Sequence, residues 1–351
     1  MFFEELVSWF TSVARPFPWR ENPTPYRVWI SEVMLQQTRA SVVIPYFLRW
    51  VKELPDVRTL ASSSLDRVLK LWEGLGYYSR ARNLHRAARD IVSRFNGELP
   101  EGEKELSSIV GLGPYTVGAI RSFAFHRRAA ALDGNVIRVL SRLLAFQEDI
   151  SQLSSVRTLR SHLLQLLPKR TPAPWKVMEA LIELGATICS KNSPLCSDCP
   201  LKRECKAHLL RKEELFPKKK RKMTYEKITR FVPVVWDSEK KRLLVQRGKR
   251  GKVMADLYEF PYFALESSSE KFSLTDLEAR LCLSLLPVKN FPTIWHSFTR
   301  FRVQLFAQLF GLRERRDTLP EFLFWEKLSD LKERAFSSGH RRIFLHIIDS
   351  L

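Results

Sequence analysis

Residues 109–120 read IVGLGPYTVGAI, a Gly-x-Gly turn running straight into an apolar, helix-like segment. Backbone amides at such a turn are suited to meeting a phosphate. Two folds compete for the pattern. A dinucleotide-binding fingerprint requires a buried strand upstream and an acid about 20 residues downstream, at the end of a second strand. Here the upstream segment GEKELSSIV (102–110) is patterned as a helix, so Gly111 and Gly113 join two helices. The spacing predicts a helix–hairpin–helix, whose turn amides hold a DNA phosphate without reading sequence. Tyr115 stands two residues after the second glycine.

Outward from the hairpin, residues 2–190 keep a helical period almost throughout, as in Phe2, Leu6 and Phe10 or in Leu65, Val68, Leu69 and Trp72. Short breaks such as NPTP, ELPD, NGELP and LDGN separate the helices. The period then changes. ITRFVPVVW (228–236) and RLLVQR (242–247) are patterned as strands around the turn DSEKK. FRVQLFAQL (301–309) alternates, with Phe301, Val303, Leu305, Ala307 and Leu309 on one face. Helices are expected at 274–286 and 338–350. Between the two regimes, 202–222 holds ten Lys/Arg against three Asp/Glu. We expect a helical domain over 1–212, a basic linker over 213–227 and an α+β domain over 228–351. Two domains suit a chain of 351 residues. PKKKRK within the linker also has the look of a nuclear-localisation signal, but a solvated linker touching DNA backbone is the simpler expectation.

Charge narrows the partner. Lys+Arg is 58 against 38 Asp+Glu, a net +20. Each cation seated on a phosphate releases a condensed counterion, so this excess points to nucleic acid. No uninterrupted apolar run approaches the ~18 residues of a membrane span. MFFEELVSWF places Glu4 and Glu5 where a signal peptide would carry lysines, so an intracellular protein is expected.

Three further constellations carry chemistry. In VWISEVMLQQT (28–38), Val28, Glu32, Leu35 and Gln36 share a helix face, which sets one carboxylate in apolar surroundings. Desolvation there raises a carboxyl pKa toward a general-acid value. In LDGNVIRVL (132–140), Asp133 and Asn135 precede a helix expected to start near Val136. They serve as a helix cap, or as a carboxylate held toward developing positive charge. Lastly, CSKNSPLCSDCPLKREC gives Cys189-x6-Cys196-x2-Cys199-x5-Cys205. Four thiolates in 17 residues suit an all-cysteine zinc site or a [4Fe–4S] cluster, and the single C-x2-C knuckle favours the cluster.

Together these residues resemble the adenine DNA glycosylases of the MutY type, within the helix–hairpin–helix glycosylase superfamily. The resemblance covers nearly the whole chain and is carried by LDGNV, by the cysteine spacing, by GLGYYSRARNLH and above all by PYRVWISEVMLQQT. It implies a mainly α helix–hairpin–helix glycosylase core with an iron–sulfur cluster module on Cys189, Cys196, Cys199 and Cys205, followed by an α+β Nudix-like domain. Glu32 would protonate an everted adenine at N7. Asp133 would stabilise the oxocarbenium-like sugar, electrostatically or covalently, with Asn135 orienting groups beside it. Arg15, Arg20 and Glu179 would line the adenine pocket. Gln36, Gln37 and Tyr77 would enter the duplex around the mispair, and Gly111 and Gly113 would hold its backbone. In the endonuclease III branch a lysine at the place of Tyr115 forms a Schiff base; a phenol cannot, so base removal without strand cleavage is implied. In the Nudix-like domain the stretch ALESSSEKFSLTD lacks the glutamate-rich magnesium helix of a working hydrolase. WHSFTRF would supply Phe298 and Thr299 for 8-oxoguanine recognition, with Arg300 where the family has histidine.

The implied partner is double-stranded DNA carrying adenine opposite 8-oxoguanine or guanine, met by a monomer at a bacterial nucleoid in the cytoplasm. The rivals are an endonuclease III-like pyrimidine glycosylase and a non-catalytic damage-binding protein. The first predicts lysine at Tyr115 and no α+β domain. The second requires Glu32 and Asp133 to be ordinary surface and cap residues.

Overall fold

In a computed structural model, residues 2–220, 224–249, 251–266, 272–314 and 318–350 are described. The chain divides into two compact units, one of Met1–Ser62 with Arg86–Lys222 and one of Ser63–His85 with Met223–Leu351. An uninterrupted core over 1–212 is therefore not what forms, because 63–85 packs with the C-terminal half. Local pairing explains the excursion. The Glu73 carboxylate accepts from the backbone N–H of Phe336 (2.9 Å) and from Arg341 Nε (2.7 Å), while Asp66 takes Arg247 and Arg334. The ties to Glu73 link residues some 260 apart in sequence, so no local pattern announces them.

The first unit is helical: α1 (Phe2–Val13), α2 (Pro18–Glu21), α3 (Pro25–Leu35), α4 (Ala40–Glu53) and α5 (Val57–Ser62). The next helix, α6 (Leu65–Trp72), belongs to the second unit, and α7 (Ser79–Phe95) runs across the division. Then come α8 (Glu103–Ser107), α9 (Pro114–Ala119), α10 (Gly134–Leu143), α11 (Leu153–Leu166), α12 (Pro174–Thr187) and α13 (Lys206–Leu209). On α1 the buried stripe is Phe3, Leu6 and Phe10; the side chain of Phe2 lies outside the described residues. The α8–α9 pair is the expected hairpin. Gly111 turns it at φ +83, a conformation costly for any residue with a Cβ, and Gly113 is the N-cap of α9 with Pro114 at its first position.

The start of the expected linker is docked rather than free. Phe216 is buried, Glu213–Leu215 forms a turn of 3-10 helix, and the backbone carbonyl of Lys218 accepts from Ile150. Residues 221–223 of the linker lie outside the described residues.

The second unit has the expected α+β architecture. Its sheet runs β3 (Tyr258–Glu259), β2 (Arg242–Arg247), β1 (Glu226–Asp237), β7 (Phe301–Glu314), β5 (Ser284–Asn290). β4 (Phe263–Leu265), β6 (Ile294–Phe298) and β8 (Leu323–Lys327) pair with β1, β7 and β2 respectively. β1 and β7 are parallel, in register from Glu226↔Phe301 to Trp236↔Gly311. Val303, Leu305, Ala307 and Leu309 share one apolar face, as their alternation predicts. That face is covered by α15 (Leu328–Lys332) and α16 (Ser338–Ile348) through Leu331, Ile343, Phe344 and Ile347. The other face packs on α14 (Leu274–Leu281) through Leu277 and Leu281. The helix expected over 274–286 thus ends early. Cys282 adopts φ +54 beyond the last turn, and 284–286 join β5 because Leu285 fills the sheet core instead. Of ALESSSEKFSLTD, residues 267–271 lie outside the described residues.

Candidate active site

The acid comes first. α3 is capped by Thr24, whose side chain accepts from Arg27, and Pro25 opens it. Tyr26 and every residue from Val28 to Met34 are buried, so the helix runs through the core rather than along its surface. Glu32 is the one acid in that buried stretch, at 6% exposure. Burial pushes its carboxyl up to about 7, against the opposing pull of the Tyr115 hydroxyl and with a further push from Asp133. A carboxyl poised there can hold a proton at neutral pH and give it up to a base.

The hairpin delivers Tyr115 to that carboxyl. Its hydroxyl donates to Glu32 Oε2, which leaves Oε1 as the oxygen available to carry the proton. One turn on, Gly118 lies so near the backbone of Ala130 that a Cβ would sit 2.1 Å from its carbonyl oxygen. That approach seats the hairpin helix against the segment leading to Asp133.

Asp133 is both cap and candidate functional group. Its Oδ1 accepts from the Val136 N–H at 2.7 Å and its Oδ2 from the Asn135 side chain at 2.7 Å. The helix begins at Gly134, two residues before the expected start near Val136, so Asn135 lies inside its first turn. Burial raises the Asp133 pKa while the Val136 and Asn135 donors oppose the rise by favouring its anion. The two carboxylates therefore differ in kind: Glu32 keeps a proton, and Asp133 is furnished with donors to its charge.

A cleft of about 1210 Å³ opens on both groups, and Arg15, Arg20, Gln36, Gln37, Asn135 and Glu179 also line it. Gln37 sits just past α3 at φ +57. Arg20 reaches Glu183 Oε2 at 3.0 Å and Glu179 Oε1 at 3.5 Å, and Arg15 pairs with Glu183 Oε1. Burial raises the Glu179 carboxyl. Glu183 was not singled out from the sequence, yet it is fully buried and anchors both arginines. Its spacing of four from Glu179 puts the two carboxylates on one face of α12, which is the signal that was available.

α10 ties this cleft to the cysteines. Arg138 donates to Asn135 Oδ1 (2.9 Å), to the Gly185 carbonyl (2.6 Å) and to the Cys189 carbonyl (2.8 Å). Arg142, 2% exposed, donates to Cys189 Sγ (3.2 Å) and to the carbonyls of Ser190, Lys191, Glu213 and Phe216. Neither arginine stands out in the sequence, although both fall on the helix face of Asn135 at intervals of three and seven. None of Cys189, Cys196, Cys199 and Cys205 is in a disulfide, and the four sulfurs are close enough to perturb one another. Burial pushes the Cys196 thiol up to about 12 and the Cys199 thiol up to about 11.

Tyr77, Phe298 and Thr299 belong to the second unit. Tyr77 is exposed at φ +47. Phe298 pairs with Phe301 at the end of the β6–β7 hairpin, so Thr299 and Arg300 form its turn. Thr299 holds φ +49, a strained conformation for a β-branched residue. Arg300 pairs with Glu226 at 3.1 Å.

Several known proteins are similar to this chain. Residues 30–168 match the family described as HhH-GPD superfamily base excision DNA repair protein. The adenine DNA glycosylase of Buchnera aphidicola subsp. Baizongia pistaciae (strain Bp) is 36% identical over 75% of this chain and 74% of its own length. The adenine DNA glycosylase of Rattus norvegicus is 41% identical over 59% of this chain and 42% of its own. A thermostable thymine-DNA glycosylase structure superposes with TM-score 0.55 at 23% identity, covering 60% of this chain and 95% of that one, which shows a common fold for the helical part. Among the described residues, no helix is long and apolar enough to cross a membrane. With its hairpin, its buried acid and its capped aspartate in place, the chain belongs to the adenine DNA glycosylase family of base excision DNA repair N-glycosylases.

Proposed function

We propose that this enzyme hydrolyses the N-glycosidic bond of adenine mispaired with 8-oxoguanine or guanine in duplex DNA, acting as a monomer at a bacterial nucleoid in the cytoplasm. The observation that carries the chemistry is the Tyr115–Glu32 hydrogen bond beneath a cleft that Asp133 also lines. Glu32 donates its proton to N7 of the everted adenine, and the C1′–N9 bond breaks with its electron pair leaving on the base. Asp133, as the anion, faces the oxocarbenium-like sugar, and water adds at C1′ as its proton passes to the Glu32 carboxylate left by the first step. Asn135 holds the Asp133 carboxylate in place. Arg15, Arg20 and Glu179 offer donors and an acceptor to the edge of the flipped base. Gln36 and Gln37, which line the cleft, and Tyr77 enter the duplex around the mispair. Gly111 and Gly113 present hairpin amides to a phosphate. Phe298 and Thr299 meet the 8-oxoguanine.

The cysteines fit a [4Fe–4S] cluster held by Cys189, Cys196, Cys199 and Cys205. Among the described residues, Cys196 also lies with His208 and Glu213 in a group whose ligand atoms fall within 4.8 Å of one another. Four free cysteines within 17 residues, with the Arg142 N–H on Cys189 Sγ, suit thiolates that ligate a metal cluster. When bound, the cluster supplies a covalent closure of the 189–205 loop.

The test is a single-turnover assay on duplexes carrying adenine opposite 8-oxoguanine, guanine or thymine. Adenine release from the first two, without strand cleavage, is expected. Release only from the thymine control, or cleavage of the strand, would overturn the proposal.

A further inference from the structure

Beyond the hairpin turn, the second unit carries an exposed sheet surface that the cleft does not use. On β6, Ile294 and His296 point into the core, so Trp295 and Ser297 face outward. The register places Ser297 beside Arg302 and Arg302 beside Lys227, and it places Trp295 beside Gln304 and Gln304 beside Thr229. These two cross-strand rows lie on the face opposite α15 and α16. Trp295 is 57% exposed and Tyr225, just before β1, is 54% exposed. They are two of the four aromatic side chains exposed among the described residues, and the Arg302 guanidinium lies 4.9 Å from the Tyr225 ring.

Neither row contains an acid, and Glu226, which precedes Lys227, is engaged by Arg300. An indole left in water beside two cations and three hydroxyl or amide groups is poorly suited to an apolar protein partner. It matches the chemistry of an unstacked nucleic-acid strand, in which bases stack on aromatic rings and phosphates meet arginine and lysine. A paired duplex keeps its base faces stacked and offers nothing to a flat ring.

We propose that this face binds single-stranded DNA, with Trp295 receiving an unstacked base and Arg302 and Lys227 the flanking phosphates. It rests on the proposed function only in taking DNA as the partner. Its test uses the full chain and a short labelled oligothymidylate. Trp295→Ala should weaken binding about ten-fold, and Trp295→Phe should recover most of that loss while abolishing part of the tryptophan quenching seen on titration. Lys227→Ala and Arg302→Ala should each flatten the salt dependence, by about 0.7 in log K against log salt for each phosphate no longer neutralised. Single-turnover adenine release at saturating enzyme should be unchanged in Trp295→Ala, so this result and the outcome of the excision assay are read separately. Binding by Trp295→Ala within two-fold of the parent, or quenching by Trp295→Phe equal to the parent's, would overturn it.

Discussion

At the scale of single residues, the site separates two carboxyl groups by their surroundings. Glu32 is surrounded by core and keeps its proton up to about pH 7, so excision should persist below that pH and fall as pH rises through it. Tyr115 donates to the carboxylate and so restrains this rise. In Tyr115→Phe the restraint is gone, and the alkaline limb of the single-turnover pH profile should move to higher pH; a limb moving to lower pH would contradict the assignment. The stability sign follows from the same shift. A folded-state pKa raised from 4.5 to about 7 gives full stability below the unfolded value, and stability is lost as pH climbs through the folded one. Asp133 makes a different prediction, because asparagine caps a helix about as well as aspartate. Asp133→Asn should keep thermal stability within about 1 kcal/mol yet lose excision by a factor of about 10² or more, whereas a mere cap would leave the rate intact.

Helices and strands show what the sequence could and could not reveal. The hairpin was legible because Gly111 and Gly113 interrupt one helical pattern, with Gly111 in a turn conformation only glycine adopts cheaply, and β7 was legible because its apolar residues alternate strictly. Glu32 stood out as a carboxylate on an apolar face. Contacts set by tertiary packing were not legible. Glu183 meets Arg15 across 168 residues, and the 63–85 segment joins the sheet unit through ion pairs that leave no periodic trace. The end of α14 was misplaced because Leu283 and Leu285 continue its apolar pattern while serving the sheet core. The crossing of α10 and α12 was equally hidden. A Cβ on Gly185 would lie 2.6 Å from the Cβ of Asn135. Gly185→Ala should therefore push these helices apart, at a cost of about 1–3 kcal/mol by thermal or denaturant unfolding, and should slow adenine release by displacing Asn135. Unchanged stability and rate would show that the crossing is slack.

For the whole molecule, a net charge of +20 supplies sequence-independent attraction to polyanions such as DNA, while the proposed chemistry lies in the cleft of the helical unit. The two can be separated, because binding depends on many cations and cleavage on one proton. Glu32→Gln keeps the shape and hydrogen-bonding size of the side chain but has no acid proton to give. Single-turnover adenine release by Glu32→Gln, measured beside its affinity for the same mispaired duplex, tests the account most directly. Affinity within about three-fold of the parent, with release slowed about 10²–10⁴-fold, is the predicted result. Release within ten-fold of the parent would remove Glu32 as the acid and contradict the account.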